Sequence, residues 1–164
     1  MTLLHIFCFI LTDYAWLIAW DGVCVSHLKK IQVKQNPTFR LMFFVTLYGK
    51  NTDSALPLLN FLDLLTIENI FIFRLLQFSH QWHKKELPNI FDHYFRNASD
   101  VHTYNTRYAS KSNFPKARCR TDIGKTTLSA LAADHWQKLP HVIKDLNLSI
   151  FPRKAKQYLL RKQM

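Results

Sequence analysis

Glycine, cysteine and acidic residues are all scarce in this chain. Only 3 Gly occur among 164 residues, which excludes collagen-like repeats and a glycine-rich dinucleotide-binding fingerprint. The 3 Cys form no CxxC pair, so neither a disulfide scaffold nor a Cys-rich zinc module is available. Asp and Glu together number 11, and no two are adjacent. Metal-dependent polymerases and nucleases need clustered carboxylates to clamp two divalent ions over a phosphoryl group. No YxDD or FxDD tetrapeptide occurs, no GxSxG occurs, and no Cys–His pair stands out. The chain is therefore expected to be non-catalytic by itself, with no cofactor and no small-molecule substrate. A long clean apolar run is also lacking. Residues 1–20 are nearly all apolar, but Asp13 interrupts them, and His5, Thr12 and Tyr14 weaken them further. No Lys or Arg precedes Lys29 and no A-x-A site follows, so these residues do not read as a signal peptide. They read as a buried helix, with a membrane anchor over residues 3–20 as the alternative.

What the chain does have is apolar surface and positive charge. Hydrophobic residues make up 48% and aromatic residues 14%, with 13 Phe, enough to build a core and to exclude a wholly disordered chain. The net charge is +11 and it is unevenly placed. Residues 83–164 carry 16 basic and 6 acidic residues, a balance of +10, against 6 and 5, or +1, in residues 1–82. A basic half joined to a neutral apolar half suggests a segment that faces a polyanion. Nucleic acid is the leading partner and an anionic membrane the second.

The patterning is helical throughout, and the expected fold class is all-α: several short amphipathic helices and one long basic loop at about residues 97–125. Residues 1–96 read as an apolar helical region and 126–164 as short C-terminal helices. Cys24, Leu28 and Ile31 share one helical face opposite Lys29, Lys30 and Lys34, and Asn36-Pro37 reads as a stop followed by a new helix. The clearest helix is 67–84, where Ile67, Phe71, Leu75, Phe78 and Trp82 recur in steps of three and four after a capping Thr66. Leu87-Pro88 ends it and starts a further short helix. Helix returns at 126–138 with Leu128, Leu131, Ala132 and Trp136 on a stripe. Val142, Ile143 and Leu146 make a short amphipathic turn, and Ser149 is placed to cap a last helix.

Two local patterns invite chemistry and do not support it. Gly124-Lys125-Thr126 resembles the end of a phosphate-binding loop, but the glycine required five positions earlier is Cys119. A turn opening the next helix, capped by Asp122 or Thr126, accounts for it better. His80 and His83 can share a helix face, with His93 and His102 nearby, but no Cys stands among them and the spacing does not complete a zinc site. They read as surface or partly buried histidines beside Trp82.

The basic loop is the remaining candidate. Between His102 and Lys125 stand Arg107, Lys111, Lys116, Arg118, Arg120 and Lys125 against the single acid Asp122, with Tyr104, Tyr108 and Phe114 interleaved. Arg and Lys neutralise phosphates, and aromatic rings stack on unpaired bases. His102-x-Tyr104-x-Thr106 alternates as an extended strand would. The competing reading is a solvated loop whose aromatic rings fill the core. The proposed contact set is Tyr104, Arg107, Arg118, Arg120 and Lys125.

The order of motifs points further. HTYNTRYAS (102–110), FPKARCRTDIGK (114–125), HWQKLP (135–140) and Ile150-Phe151 with KQYLL (156–160) resemble the C-terminal tail of LINE-type, jockey-like non-LTR retrotransposon reverse transcriptases. AWDGVCVSHLKKIQVKQNPTFRLMFF (19–44) resembles the family's stretch just after the palm, and FSHQWHKKELPNIFDHYF (78–95) is also similar to the family. The resemblance spans about residues 10–162. It implies a parent RNA-directed DNA polymerase whose catalytic palm, with its aspartates, lies upstream, and a thumb-and-tail region here that grips template–primer or RNA. It implies RNA or DNA and the upstream palm as partners, and a nuclear or cytoplasmic setting. No catalytic or metal-binding residue is implied for these positions. A decayed reading frame without activity is the remaining reading.

Overall fold

The computed structural model describes residues 25–42, 56–93, 95–101, 106–107, 111–116 and 118–163. These residues are helical with irregular connections, and among them no strand forms. The all-α expectation therefore holds. The elements are α1 (Val25–Met42), α2 (Leu56–Phe61), α3 (Ile67–His83), a 3-10 turn (Asn89–His93), α4 (Ala98–Val101), α5 (Asp122–Lys125), α6 (Leu128–Lys138), α7 (His141–Lys144) and α8 (Phe151–Gln163). The long loop is thus not continuous: short helices α4 and α5 stand near its two ends. Residues 3–20, where the membrane anchor was considered, and Cys24 lie outside the described residues.

α3 is the central helix. Thr66 caps it with extended backbone, and its Oγ1 accepts from the Asn69 amide at 3.3 Å. α1, α6 and α8 all pack on it. Of the expected stripe, Leu75 and Phe78 are buried, while Ile67, Phe71 and Trp82 are half-buried. Burial extends beyond that stripe to Leu76, Ser79 and His80, because helices cover α3 on more than one side. The Ser79 hydroxyl satisfies itself by donating to the Leu75 carbonyl at 2.8 Å. At the helix end Lys85 takes a left-handed φ of 58°. The Glu86 amide then donates to the Gln81 carbonyl at 3.0 Å and the Lys85 amide to the Trp82 carbonyl at 2.9 Å. That paired closure needs a left-handed residue just past the helix. Asp63, with φ 53°, ends α2 in the same way.

Three local expectations are corrected. The first concerns Asn36-Pro37, which does not stop a helix: α1 runs through Pro37. A proline inside a helix frees the carbonyl four residues back, here that of Val33. Both Pro37 and Val33 are exposed, so water can take that acceptor, and Gln32 Nε2 donates to Asn36 Oδ1 at 2.8 Å across the same turn. The second concerns α7, whose inward residue is not Val142. Val142 is 68% exposed and Lys144 is 2% exposed. The third concerns α8, which begins at Phe151, one residue later than a Ser149 cap would give. Its first turn is instead tied back by the Phe151 amide donating to the Asn147 carbonyl at 2.9 Å.

The core draws chiefly on α3, α6 and α8 and on the loop before α5. Leu75, Leu76 and Phe78 of α3 meet Ala132, Ala133 and Trp136 of α6, Phe151, Ala155 and Leu159 of α8, and Phe114 of the loop. Aromatic edges and faces join them: Phe114 stacks on Trp136 at 5.3 Å between centroids, and Trp82 meets Phe114 edge-on at 5.4 Å. Trp136 and Leu139 are buried where α6 turns into α7. Gln163, at the far end of α8, closes the molecule. Its Nε2 donates to Asn60 Oδ1 at 2.7 Å and to the Leu64 carbonyl at 3.1 Å. Its Oε1 accepts from the Thr66 amide at 3.0 Å and Asn69 Nδ2 at 2.8 Å.

Candidate nucleic-acid interface

The basic loop is anchored before it reaches its arginines. The Trp136 indole donates to the Ser112 carbonyl at 2.9 Å, and the Ala98 amide donates to the Asn113 carbonyl at 3.0 Å. Phe114 is only 2% exposed. Among the interleaved aromatic residues, Phe114 therefore fills the core and is not a stacking platform. Tyr104 lies outside the described residues, as does the His102–Asn105 part of the suggested strand.

Beyond the anchor the chain alternates. Arg118 and Arg120 are exposed, and Cys119 between them is half-buried. The Cys119 thiol donates to the Gly124 carbonyl at 3.2 Å, which fastens this short run to α5. The approach is close: a Cβ on Gly124 would come within 3.3 Å of both Cys119 Cβ and Thr121 Oγ1. Glycine at this position thus serves contact with Cys119, and the same contact brings Arg118, Arg120 and Lys125 into one neighbourhood. Among the described residues neither Arg118 nor Arg120 has an ion-pair or hydrogen-bond partner.

Lys125 is differently placed. It donates to Asp122 Oδ1 at 2.8 Å. That hydrogen bond and the accompanying charge attraction hold the Asp122 carboxyl below its usual range and the Lys125 ammonium above its own. Both groups are fully exposed, so the pair is screened by water and salt. Lys125 keeps its proton, but Asp122 offsets part of its field. Arg107 is exposed in a turn. Arg118 and Arg120 flank Cys119, whose thiol meets Gly124 next to Lys125. Lys116 and Lys138 converge on Asp134 of α6, whose carboxyl they hold below the usual range, the Lys138 hydrogen bond contributing most.

The caps at this corner differ from expectation. Thr121, not Asp122, caps α5, accepting from the Gly124 amide at 3.2 Å. Thr127, not Thr126, stands at the start of α6, and its hydroxyl donates to the Gly124 carbonyl at 2.9 Å. A cap needs extended backbone, which Thr121 and Thr127 have, whereas Asp122 is already helical and Thr126 ends α5. The Gly124 amide is thus engaged within the turn rather than turned toward a phosphate, as a nucleotide-binding loop would need.

The histidines are not at the surface as a pair. His80 is fully buried, with its ring stacked on Phe151 at 3.8 Å and 9° between planes. Its Nε2–H donates to the Leu146 carbonyl at 2.9 Å, and Nδ1 has no partner among the described residues. Burial keeps the imidazoles of His80 and His83 below the usual histidine range, so both favour the neutral form. Among the described residues no group of three His, Cys, Asp or Glu side chains could hold a metal ion. Among them, too, no helix is long and apolar enough to cross a membrane.

Comparison with known proteins adds no relative: no family model, no curated protein and no solved structure matches this chain.

Two features of the corner could not be found from composition. Cys119 reads as an isolated cysteine, and its contact with Gly124 depends on α5 forming. Lys144 reads as one more surface lysine, yet it holds Asn113 Oδ1 at 2.7 Å beneath the base of the loop.

Proposed function

We propose that this chain is a non-catalytic nucleic-acid-binding segment of a retrotransposon RNA-directed DNA polymerase, and that its basic loop grips single-stranded RNA or a template–primer. The observation that carries the reading is the pair Arg118 and Arg120, exposed and without an ion-pair partner among the described residues, on a run that the Cys119–Gly124 contact holds in place. Guanidinium groups fork onto phosphate oxygens, and unpaired ones release counterions when they do. The motif order from 102 to 160 supports the same reading by resemblance. Arg107 and Lys125 add positive charge to the loop, and Tyr104 supplies the ring that stacks on a splayed base.

The test uses the full 164-residue chain with single-stranded RNA. Tyr104→Ala is expected to weaken binding by roughly 1–3 kcal/mol while leaving its salt dependence unchanged. Primer extension on an RNA template with magnesium or manganese should not exceed a control without protein. A chain that extends primer, or a Tyr104→Ala variant that melts early with its RNA affinity intact, contradicts this reading.

A further inference from the structure

α8 breaks two local rules of helix design. Its 13 residues contain Arg153, Lys154, Lys156, Arg161 and Lys162 and no acid. Arg153 and Lys154 sit in its first turn, where the helix dipole disfavours cations. Among the described residues none of the five has an ion-pair partner, and all are exposed. Like charges gathered on one helix repel, and among the described residues no ion pair offsets them. Such violations without an internal compensation mark functional surfaces.

The geometry restricts what could offset them. Arg153, Gln157 and Arg161 fall at successive i, i+4 positions, with Lys154 beside them, so one outward stripe runs about 12 Å along the helix. On the opposite side Phe151, Ala155 and Leu159 are buried in the core, and Leu160, beside the stripe, is buried as well. α8 therefore has no free apolar face to insert into lipid. Nor does the stripe offer a ring for stacking: Tyr158 is half-buried, and its hydroxyl donates to the Lys138 carbonyl at 3.0 Å. A rigid row of cations without aromatic groups suits a regular array of phosphates rather than splayed bases.

We propose that the outward face of α8, through Arg153, Lys154 and Arg161, is a second contact that takes the phosphate backbone of double-stranded nucleic acid. It rests on α8 alone and does not depend on the loop reading. A chain with both surfaces would hold a single strand at the loop and a duplex at α8.

The experiment compares salt-titrated binding of the full chain to a duplex and to a single strand. The triple variant Arg153→Gln/Lys154→Gln/Arg161→Gln should flatten the log–log slope on duplex by about 2–3 units, at roughly 0.9 for each phosphate no longer neutralised. Gln157→Lys, which adds a cation at the centre of an exposed stripe, should steepen the duplex slope by about 1 and gives a readout even where the triple variant fails to fold. A folded triple variant with the parent duplex slope overturns the proposal, as does Gln157→Lys without effect. Binding to vesicles containing phosphatidylserine that depends on these residues, without binding to duplex, also overturns it. A single-strand slope that responds to Arg118→Ala/Arg120→Ala while the duplex slope ignores α8 defeats this inference and leaves the loop reading standing.

Discussion

Lys144 Nζ donates to Asn113 Oδ1 at 2.7 Å inside the fold, and among the described residues no carboxylate pairs with it. The ammonium also lies 5.5 Å from the centroid of the Trp136 ring. This contact joins α7 to the base of the basic loop, just before the core residue Phe114. A buried ammonium with one hydrogen bond is incompletely compensated. Burial, with a smaller contribution from Lys111, pushes the Lys144 pKa down to about 8, against the opposing pull of Asp145.

The pH dependence follows from that direction. The folded-state pKa lies below the unfolded value, so between about pH 8 and pH 10.5 the unfolded chain holds more protons at this position. Stability contributed by Lys144 therefore rises with pH across that window and is constant below it. Lys144→Met removes the titration. Urea unfolding of both proteins at pH 7 and pH 10 should show Lys144 gaining on the variant by on the order of 1–3 kcal/mol. Parallel curves would place the ammonium in water.

Trp136 is the hub between the loop and the C-terminal helices. It is fully buried, stacks with Phe114 and donates to Ser112. Trp136→Ala should cost ~3–5 kcal/mol by chemical denaturation. Trp136→Phe should cost less, since it keeps much of the ring and gives up mainly the indole hydrogen bond. A change under ~1 kcal/mol for the alanine variant would mean that the ring is not packed as described.

Gln163 makes four hydrogen bonds that tie the end of α8 to the α2–α3 junction. Gln163→Ala leaves those partners to find water or go unmet, at a cost of ~1–3 kcal/mol. Gln163→Glu should lower the melting temperature as well, because a carboxylate cannot donate to Asn60 Oδ1 or the Leu64 carbonyl. Thermal melts of the two variants beside the parent chain check this.

Much of the fold is legible in the sequence where the signal is local. Thr66 and the three-and-four spacing after it are sufficient for α3. The stripe through Leu128, Ala132 and Trp136 likewise locates α6. The signal fails where the deciding partner is distant. His80, read as a surface or partly buried histidine, and Lys144, which carries no distinguishing local pattern, prove buried only once Leu146 and Asn113 are placed beside them, 66 and 31 positions away. Pro37 looks like a stop until its solvent-facing position is known. The candidate site divides in the same way. The exposure of Arg118 and Arg120 follows from charge density alone, whereas their shared neighbourhood with Lys125 depends on Cys119 meeting Gly124. The core role of Phe114 follows from its neighbours Trp82 and Trp136 rather than from its place in a basic loop.

The most direct measurement of the central claim is the salt dependence of single-stranded RNA binding by the parent chain and by Arg118→Ala/Arg120→Ala, with circular dichroism melts of both. Arg118 and Arg120 are outside the core, so the double variant should melt within a few degrees of the parent. Its log–log slope should be flatter by about 1.5 units, at ~0.7–0.9 for each phosphate no longer neutralised. A double variant that stays folded and keeps the parent slope would contradict the account.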